Sequence, residues 1–172
     1  WRRRPGSGRS TVEAALLEAA SSVDTAWLAG PGRADGSGAT AAWAVAPPDR
    51  AAVAAAWVGD AALILCRSGG LPPLKLSTDH ALADPAEAAR VAAATGGRAG
   101  SPQQTARLAG ELAVTRAFGD APYRRAGLVS TPGLAWVDGG DESAVALLLV
   151  TDGALEGRAG PAGLCRAAVR GA

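Results

Sequence analysis

The chain has 172 residues and a formal net charge of +1, with 48% hydrophobic and 4% aromatic residues. Such a chain is long enough to bury a core as one globular domain, and that core must be built mainly from alanine, valine and leucine. The balanced charge argues against nucleic acid or a strongly acidic protein as a partner, and no apolar stretch is long enough to span a membrane.

The beginning of the chain predicts a linker. Residues 1–10 are basic and rich in residues that break helices and strands, so we expect the domain to occupy residues 11–172. The chain contains no methionine, and we therefore expect that Trp1 does not mark a translation start.

A helix and a first strand are predicted next. Ser10 and Glu13 have the spacing of a capping box, and apolar side chains from Val12 onward recur at helical intervals. This pattern ends at a glycine-rich loop over residues 30–38. Residues 41–46 are then predicted to form a strand.

Three apolar segments separated by glycine turns follow, and they predict a meander of short strands. Residues 51–58 end in Gly59-Asp60, residues 61–66 form the second segment, and residues 71–76 form the third. The first of these strands therefore delivers the carboxylate of Asp60 at its end.

The second half of the chain predicts a well-delimited helix. Asp84 has the position of an N-cap, Pro85 and Glu87 suit the first turn, and Gly96-Gly97 suits the end after Thr95. Further patterns predict an exposed loop at residues 98–106, an extended segment at 128–137 and a last helix at 161–169.

The apolar run over residues 144–150 is the strongest single signal, and it predicts a strand buried on both faces. Asp152 follows that strand, with Gly153 behind it to allow a tight turn. A carboxylate on a rigid strand end suits Mg²⁺ or Mn²⁺, and Asp60 and Asp152 could converge on one such cation. A plain Asp-Gly turn is the alternative.

Five segments, in this order along the chain, are similar to those of one family. Together they resemble the metal-dependent serine/threonine protein phosphatases of the PPM (PP2C) family, from about residue 12 to about residue 158. The segments are Asp35-Gly36-Ser37-Gly38-Ala39-Thr40, Trp57-Val58-Gly59-Asp60, Leu76-Ser77-Thr78-Asp79-His80, Leu112-Ala113-Val114-Thr115-Arg116-Ala117-Phe118-Gly119-Asp120 and Val150-Thr151-Asp152-Gly153.

The resemblance implies an α+β fold, with two packed antiparallel β-sheets flanked by helices in an α-β-β-α sandwich. It implies hydrolysis of phosphoserine or phosphothreonine in proteins by a metal-activated water, with two or three Mg²⁺ or Mn²⁺ ions. Asp152 matches the family's ligand of a core metal, with Gly153 beside it. Asp60 matches a carboxylate associated with a weaker third metal, and Glu156 lies where the family commonly has another aspartate.

The chain also departs from the family pattern. The Asp-Gly-His-Gly-Gly segment that supplies the bridging aspartate has no counterpart before Val12, and the closing Asp-Asn pair has none either. Leu155 and Glu156 replace a common Trp and Asp, whereas Asp35 fits a turn better than a ligand. We therefore expect a domain truncated at both ends. The alternative function is a pseudophosphatase, inactive and serving as a binding or structural module in a larger assembly.

The remaining polar residues are predicted to be structural. His80 is the only histidine, which excludes a histidine-based triad within this sequence, and Asp79-His80 is expected to support the following turn. Arg116 and Asp120 are expected to orient a loop by pairing rather than to catalyse.

Partners and cysteines complete the sequence predictions. The expected partners are a phosphoprotein substrate or another protein, without nucleic acid or a membrane span, in a compartment expected to be intracellular. Cys66 is expected to be a small buried hydrophobe, and a disulfide with Cys165 cannot be deduced from the sequence.

Overall fold

The computed structural model describes residues 7–30, 32–46, 51–97, 107–157 and 160–170. Two three-stranded antiparallel sheets pack against each other, and each carries a helix on its outer face. The α-β-β-α arrangement predicted from the resemblance is confirmed. Within the described ranges, no helix is both long and apolar enough to cross a membrane.

The helices and strands are numbered in chain order. They are α1 Ser7–Ala29, α2 Gly32–Asp35, β1 Gly38–Ala39, β2 Ala41–Val45, β3 Ala52–Val58, β4 Ala62–Arg67, β5 Leu74–Lys75, α3 Pro85–Thr95, β6 Phe118–Gly119, a 3-10 helix Ala121–Ala126, β7 Gly133–Asp138, β8 Ala144–Val150, α4 Asp152–Glu156 and α5 Gly160–Arg170.

The first sheet has the strand order β2-β3-β7, and α1 covers its outer face. Leu16 of α1 is buried against Ala54 and Ala56 of β3. Small side chains on this face of β3 let the helix approach closely, and Trp43 and Trp136 close the cluster from the two neighbouring strands.

The second sheet has the strand order β5-β4-β8, and α5 covers its outer face. Ala62 and Ile64 of β4 point toward this helix, and a disulfide joins Cys66 of β4 to Cys165 of α5. Cys66 is buried as expected, but it is half of a disulfide rather than a free apolar side chain, and the bond links the sheet covalently to the helix.

The inner faces of the two sheets meet around Trp57 and Leu63. Gly133 of β7 lies opposite Trp57 of β3 in the strand register. A Cβ at Gly133 would come within 2.4 Å of the indole ring, so the absence of a side chain there makes room for the tryptophan. The same indole donates a hydrogen bond from Nε1 to the carbonyl oxygen of Thr78 at 2.8 Å.

The prediction for α3 is confirmed in its details. Asp84 is the N-cap and its side chain accepts hydrogen bonds from the N–H groups of Ala86 and Glu87. Gly96 ends the helix in the left-handed conformation with φ 60°, which glycine adopts without strain.

Some sequence predictions are wrong at the N-terminal end and in the meander. Helix α1 begins at Ser7, so residues 7–10 are helical rather than linker and Ser10 is not an N-cap. Glu13 instead accepts a hydrogen bond from Nε1 of Trp136 at 2.8 Å. The third meander strand is limited to Leu74–Lys75, because the segment before it contains Pro72 and Pro73, which cannot donate to a ladder.

The apolar run of β8 predicted a strand buried on both faces, and this prediction is wrong. Val145 and Leu149 are 48% and 40% exposed. In the described part of the chain β8 lies at the edge of its sheet, where a strand has fewer neighbours to cover it. The predicted loop at 98–106 lies outside the described residues.

Candidate metal centre

The two carboxylates singled out in the sequence lie at the same end of the second sheet. In the antiparallel register Ala62 of β4 faces Val150 of β8. Asp60 comes two residues before Ala62, and Asp152 comes two residues after Val150. The ladder therefore places both residues at one end of this sheet. The sequence predicted that the strand at residues 51–58 would bring Asp60 toward Asp152, but that strand is β3 of the other sheet, and β4 is the strand that pairs with β8.

The turn that carries Asp60 has a fixed backbone. Gly59 has φ 83°, and a Cβ there would come within 2.2 Å of the Thr40 side chain. A side chain at this position would be both strained and obstructed. The carbonyl oxygen of Arg116 would also be close, 3.1 Å from the position of that Cβ.

His80 holds this turn in place through two hydrogen bonds to Gly59. The N–H of Gly59 donates to Nδ1 of His80 at 3.1 Å, and the N–H of His80 donates to the carbonyl oxygen of Gly59 at 3.0 Å. The imidazole stacks on Trp57, with the two rings 5.7 Å apart and within 6° of parallel. His80 is thus structural as predicted, but it supports the Gly59-Asp60 turn rather than the turn that follows it.

The protonation state of His80 agrees with this contact. Burial, followed by the positive charge of Arg116, lowers the pKa of His80 to about 4. The ring is therefore neutral near pH 7, and Nδ1 can accept the hydrogen bond from Gly59.

Asp152 begins the short helix α4 and is exposed to solvent. Its Oδ1 accepts a hydrogen bond from the N–H of Gly153 at 2.8 Å. The expected tight turn at Gly153 is wrong: this residue belongs to α4 and does not have the positive φ of ten other glycines. Gly153 could offer a cation only its carbonyl oxygen.

Glu156 is the last residue of α4 and is also exposed. In the part of the chain that the structure describes, no three histidine, cysteine, aspartate or glutamate side chains form a group that could hold a metal ion. Asp60, Asp152 and Glu156 are therefore not a complete ligand set. The oxygen donors Asp60 and Asp152 fit Mg²⁺ or Mn²⁺ in kind, but such an ion needs about six ligands.

A buried ionic network supports the same region, and the sequence did not reveal it. Glu87 of α3 is 4% exposed and forms ion pairs with Arg90 and with Arg116. Thr115 also donates to its carboxylate, at 2.5 Å. Burial alone would raise the pKa of Glu87, but the hydrogen bonds from Arg116, Arg90 and Thr115 lower it to about 2.

Arg116 is thus paired with Glu87, and the structure shows no pair between Arg116 and Asp120 among the described residues. Asp120 has a left-handed backbone, φ 49°, and burial raises its pKa. Arg124 forms the neighbouring ion pair, with Asp24 of α1 at 2.5 Å. The expected structural role of Arg116 stands, but its partner is different.

Asp35 adopts the turn that the sequence favoured over a metal ligand. Its Oδ1 accepts a hydrogen bond from the N–H of Ser37 at 2.7 Å. This bond lowers the pKa of the Asp35 carboxyl group and accounts for the residue without a ligand.

Comparisons with known proteins identify relatives of this chain. The chain is 39% identical over 123 residues to probable protein phosphatase 2C 49 of Oryza sativa subsp. japonica, covering 72% of this chain and 28% of the rice protein. It is 34% identical over 158 residues to probable protein phosphatase 2C 68 of the same plant, covering 88% of this chain and 42% of that protein. The chain therefore spans less than half the length of these curated relatives.

Solved structures show the same fold. A C. elegans sex determining protein superimposes with a TM-score of 0.69 at 26% identity, covering 88% of this chain and 35% of that one. Serine-threonine phosphatase 2C from Toxoplasma gondii superimposes with a TM-score of 0.72 at 18% identity, covering 99% and 61%. The family model for protein phosphatase 2C matches residues 3–156, and the chain therefore belongs to the protein phosphatase 2C family.

Proposed function

We propose that this protein hydrolyses phosphoserine or phosphothreonine in proteins, with Mg²⁺ or Mn²⁺ as cofactor. The observation that carries the proposal is the position of Asp60 and Asp152 at one end of the β4–β8 ladder, in a member of this phosphatase family. Hard divalent cations prefer carboxylate oxygens, and this position supplies two of them from neighbouring strands.

Each residue of the site has a distinct part in the proposal. Asp60 and Asp152 hold the cation, which when bound supplies a water of lowered pKa. His80 is a positioning residue, because it fixes the Gly59-Asp60 turn from which Asp60 projects. Glu156 is at most a secondary ligand, since its side chain forms no three-donor group with the two aspartates.

The test is phosphate release from a phosphothreonine peptide by the complete gene product, with and without Mn²⁺. Replacing Asp152→Asn keeps the size of the side chain but removes its charge. We expect the Mn²⁺-dependent rate to fall at least ~100-fold, because losing a direct ligand should cost no less than losing a residue behind one. Asp60→Asn is expected to raise the Mn²⁺ concentration needed for half-maximal rate.

Asp141→Asn provides the matched control. Asp141 is an exposed aspartate in the turn before β8, at the opposite end of that strand from Asp152. Its Oδ1 accepts hydrogen bonds from the N–H and the hydroxyl group of Ser143. This variant is expected to keep the full rate. Equal Mn²⁺-dependent rates in wild type and Asp152→Asn would contradict the proposed role of Asp152.

A second candidate function is a pseudophosphatase that binds a partner protein. It is supported by the incomplete ligand set, since the described residues provide no group of three donors. A folded gene product that shows neither Mn²⁺ binding by calorimetry nor phosphate release would favour this candidate and exclude the first.

A further inference from the structure

A pocket of about 490 Å³ lies at the far end of β4 from Asp60. One wall is the segment between β4 and β5, which contains Leu71 and Pro72, and the other wall is α5. The Cys66–Cys165 disulfide lines the pocket between these walls. Arg67 and Asp60 are seven residues apart, so at ~3.3 Å per residue the pocket is roughly 20 Å from the candidate metal centre.

Both walls are held in place. The guanidinium of Arg67 donates two hydrogen bonds to the carbonyl oxygen of Pro72, at 2.9 Å from Nε and 2.7 Å from Nη2. The N–H of Leu71 donates to the carbonyl oxygen of Ser68 at 3.2 Å. The disulfide fixes α5 to β4, so the pocket exists before any ligand arrives, which lowers the entropic cost of binding.

The charge in this pocket is of one sign. Arg67, Arg166 and Arg170 line it, and none of the described lining residues is acidic. The whole chain has 17 basic and 16 acidic side chains, so this concentration does not follow from its overall composition. Asp141 is an acidic neighbour of Arg67. The pKa of Asp141 is lowered mainly by hydrogen bonds from Ser143, and the positive charge of Arg67 contributes to the same effect.

Of the three arginines that line the pocket, Arg166 and Arg170 have no side-chain partner among the described residues. They are four residues apart on one face of α5, both are exposed, and in the described ranges neither guanidinium group has a hydrogen bond or an ion pair. Arg170 in the last turn complements the helix dipole, as many exposed arginines do. That role does not account for Arg166 or for the apolar walls beside it.

Two large apolar side chains are exposed in the same pocket. Leu71 is 46% exposed on one wall, and Val169 is 44% exposed on the other. Apolar walls combined with unpaired guanidinium groups suit a ligand with carboxylates and an apolar side chain. A peptide that alternates acidic and apolar residues has this chemistry.

We propose that this pocket binds an acidic peptide segment of another protein. Carboxylates of the segment pair with Arg166 and Arg170, and an apolar side chain of the segment lies between Leu71 and Val169. The inference goes beyond the proposed function and does not depend on phosphate hydrolysis. It is compatible with the near-neutral net charge, because recognition is confined to one pocket.

Fluorescence anisotropy with a labelled short peptide of alternating glutamate and leucine tests this directly. The double variant Arg166→Glu/Arg170→Glu is expected to weaken binding at least ~30-fold, because two attractive pairs become repulsive. Binding by the wild type is expected to weaken as salt rises, since the pairs are partly exposed. Val169→Ser, which tests the apolar wall, is expected to weaken it severalfold.

Arg33→Glu/Arg125→Glu is the matched control. These two arginines are exposed on α2 and on the 3-10 helix, and they give the same change in net charge. The control is expected to bind the peptide as the wild type does. Equal weakening by both double variants, or none by either, would overturn the proposal, with circular dichroism confirming that all the variants are folded.

Vesicles containing phosphatidylserine distinguish a membrane surface from a peptide. They present negative charge without a peptide backbone or leucine side chains. Vesicle binding that depends on Arg166 and Arg170, without binding of the peptide, would overturn the proposal in favour of a lipid surface.

Discussion

At the scale of single residues, the stacked pair of Trp57 and His80 connects the core to the candidate site. Trp57 lies between the two sheets, and His80 stacks on its ring. His80 in turn makes two hydrogen bonds to Gly59, so the Gly59-Asp60 turn is anchored to the core. In the proposed function, a turn held in this way reduces the reorganisation that cation binding would require of Asp60.

His80→Ala is expected to lower the free energy of unfolding by ~2–3 kcal/mol. The variant loses the stack on Trp57 and leaves the buried N–H of Gly59 without its acceptor. Urea denaturation followed by tryptophan fluorescence measures the change. Asp79→Ala, at the exposed neighbouring residue, is the control and should change stability by less than ~1 kcal/mol.

Glu87→Gln is expected to destabilise the protein by ~3 kcal/mol. It leaves Arg90 and Arg116 with a neutral partner, and removing one member of a buried ion pair typically costs this much. The same denaturation experiment applies. Glu18→Gln, on an exposed position of α1, is the control, and similar stabilities for the two variants would show that the network contributes nothing.

At the scale of elements, the two sheets depend on a glycine in β7. Gly133 faces Trp57 across the β3–β7 pair and leaves space for its ring. This is a question of volume, because Gly133 does not have the positive φ that other glycines of the chain have.

Gly133→Ala is therefore expected to lower the melting temperature, because overpacking of this kind typically costs ~1–3 kcal/mol of unfolding free energy. The indole would have to move away from its partners Thr78 and His80. Gly140→Ala is the control, since a Cβ there would meet only Asp138 at 3.6 Å. Calorimetry that shows the same melting temperature for Gly133→Ala and wild type would contradict the packing argument.

The elements also show what the sequence could predict. Helix α3 was predictable because Asp84, Pro85 and Gly96 are local signals that act within a few residues. The exposure of β8 could not be predicted, because an apolar run has the same pattern whether its strand lies at the centre or at the edge of a sheet.

The same distinction applies to the candidate site. The sequence singled out Asp60 and Asp152 because each follows an apolar run, and their role as metal ligands stays a prediction. The contacts of Gly59 with His80 and of Glu87 with Thr115 span 21 and 28 residues, so tertiary packing decides them. The sequence showed Glu87 only as a residue suited to the first turn of a helix.

At the scale of the whole molecule, acid is expected to unfold the protein partly through Glu87. Its pKa is lowered from 4.5 to about 2 in the folded protein. A depressed carboxyl pKa contributes stability that is complete above pH 4.5 and is lost as the pH falls toward 2. The lowered pKa of His80 causes a further loss of stability, which develops at higher pH, as the pH falls from 6.5 to about 4.

Comparing wild type with Glu87→Gln across pH isolates the contribution of Glu87. The difference in unfolding free energy is expected to stay constant above pH 4.5 and to shrink below it. Urea denaturation at each pH provides the values. A difference that remains unchanged down to pH 2.5 would contradict the lowered pKa of Glu87.

The Cys66–Cys165 disulfide also has a consequence for the denatured chain. It joins residues 99 positions apart, so more than half of the sequence stays within one covalent loop after unfolding. The oxidised denatured ensemble is therefore more compact and exposes less surface than the reduced one. The dependence of unfolding free energy on urea concentration is accordingly shallower for the oxidised protein, so a single denaturation midpoint cannot compare the two redox forms.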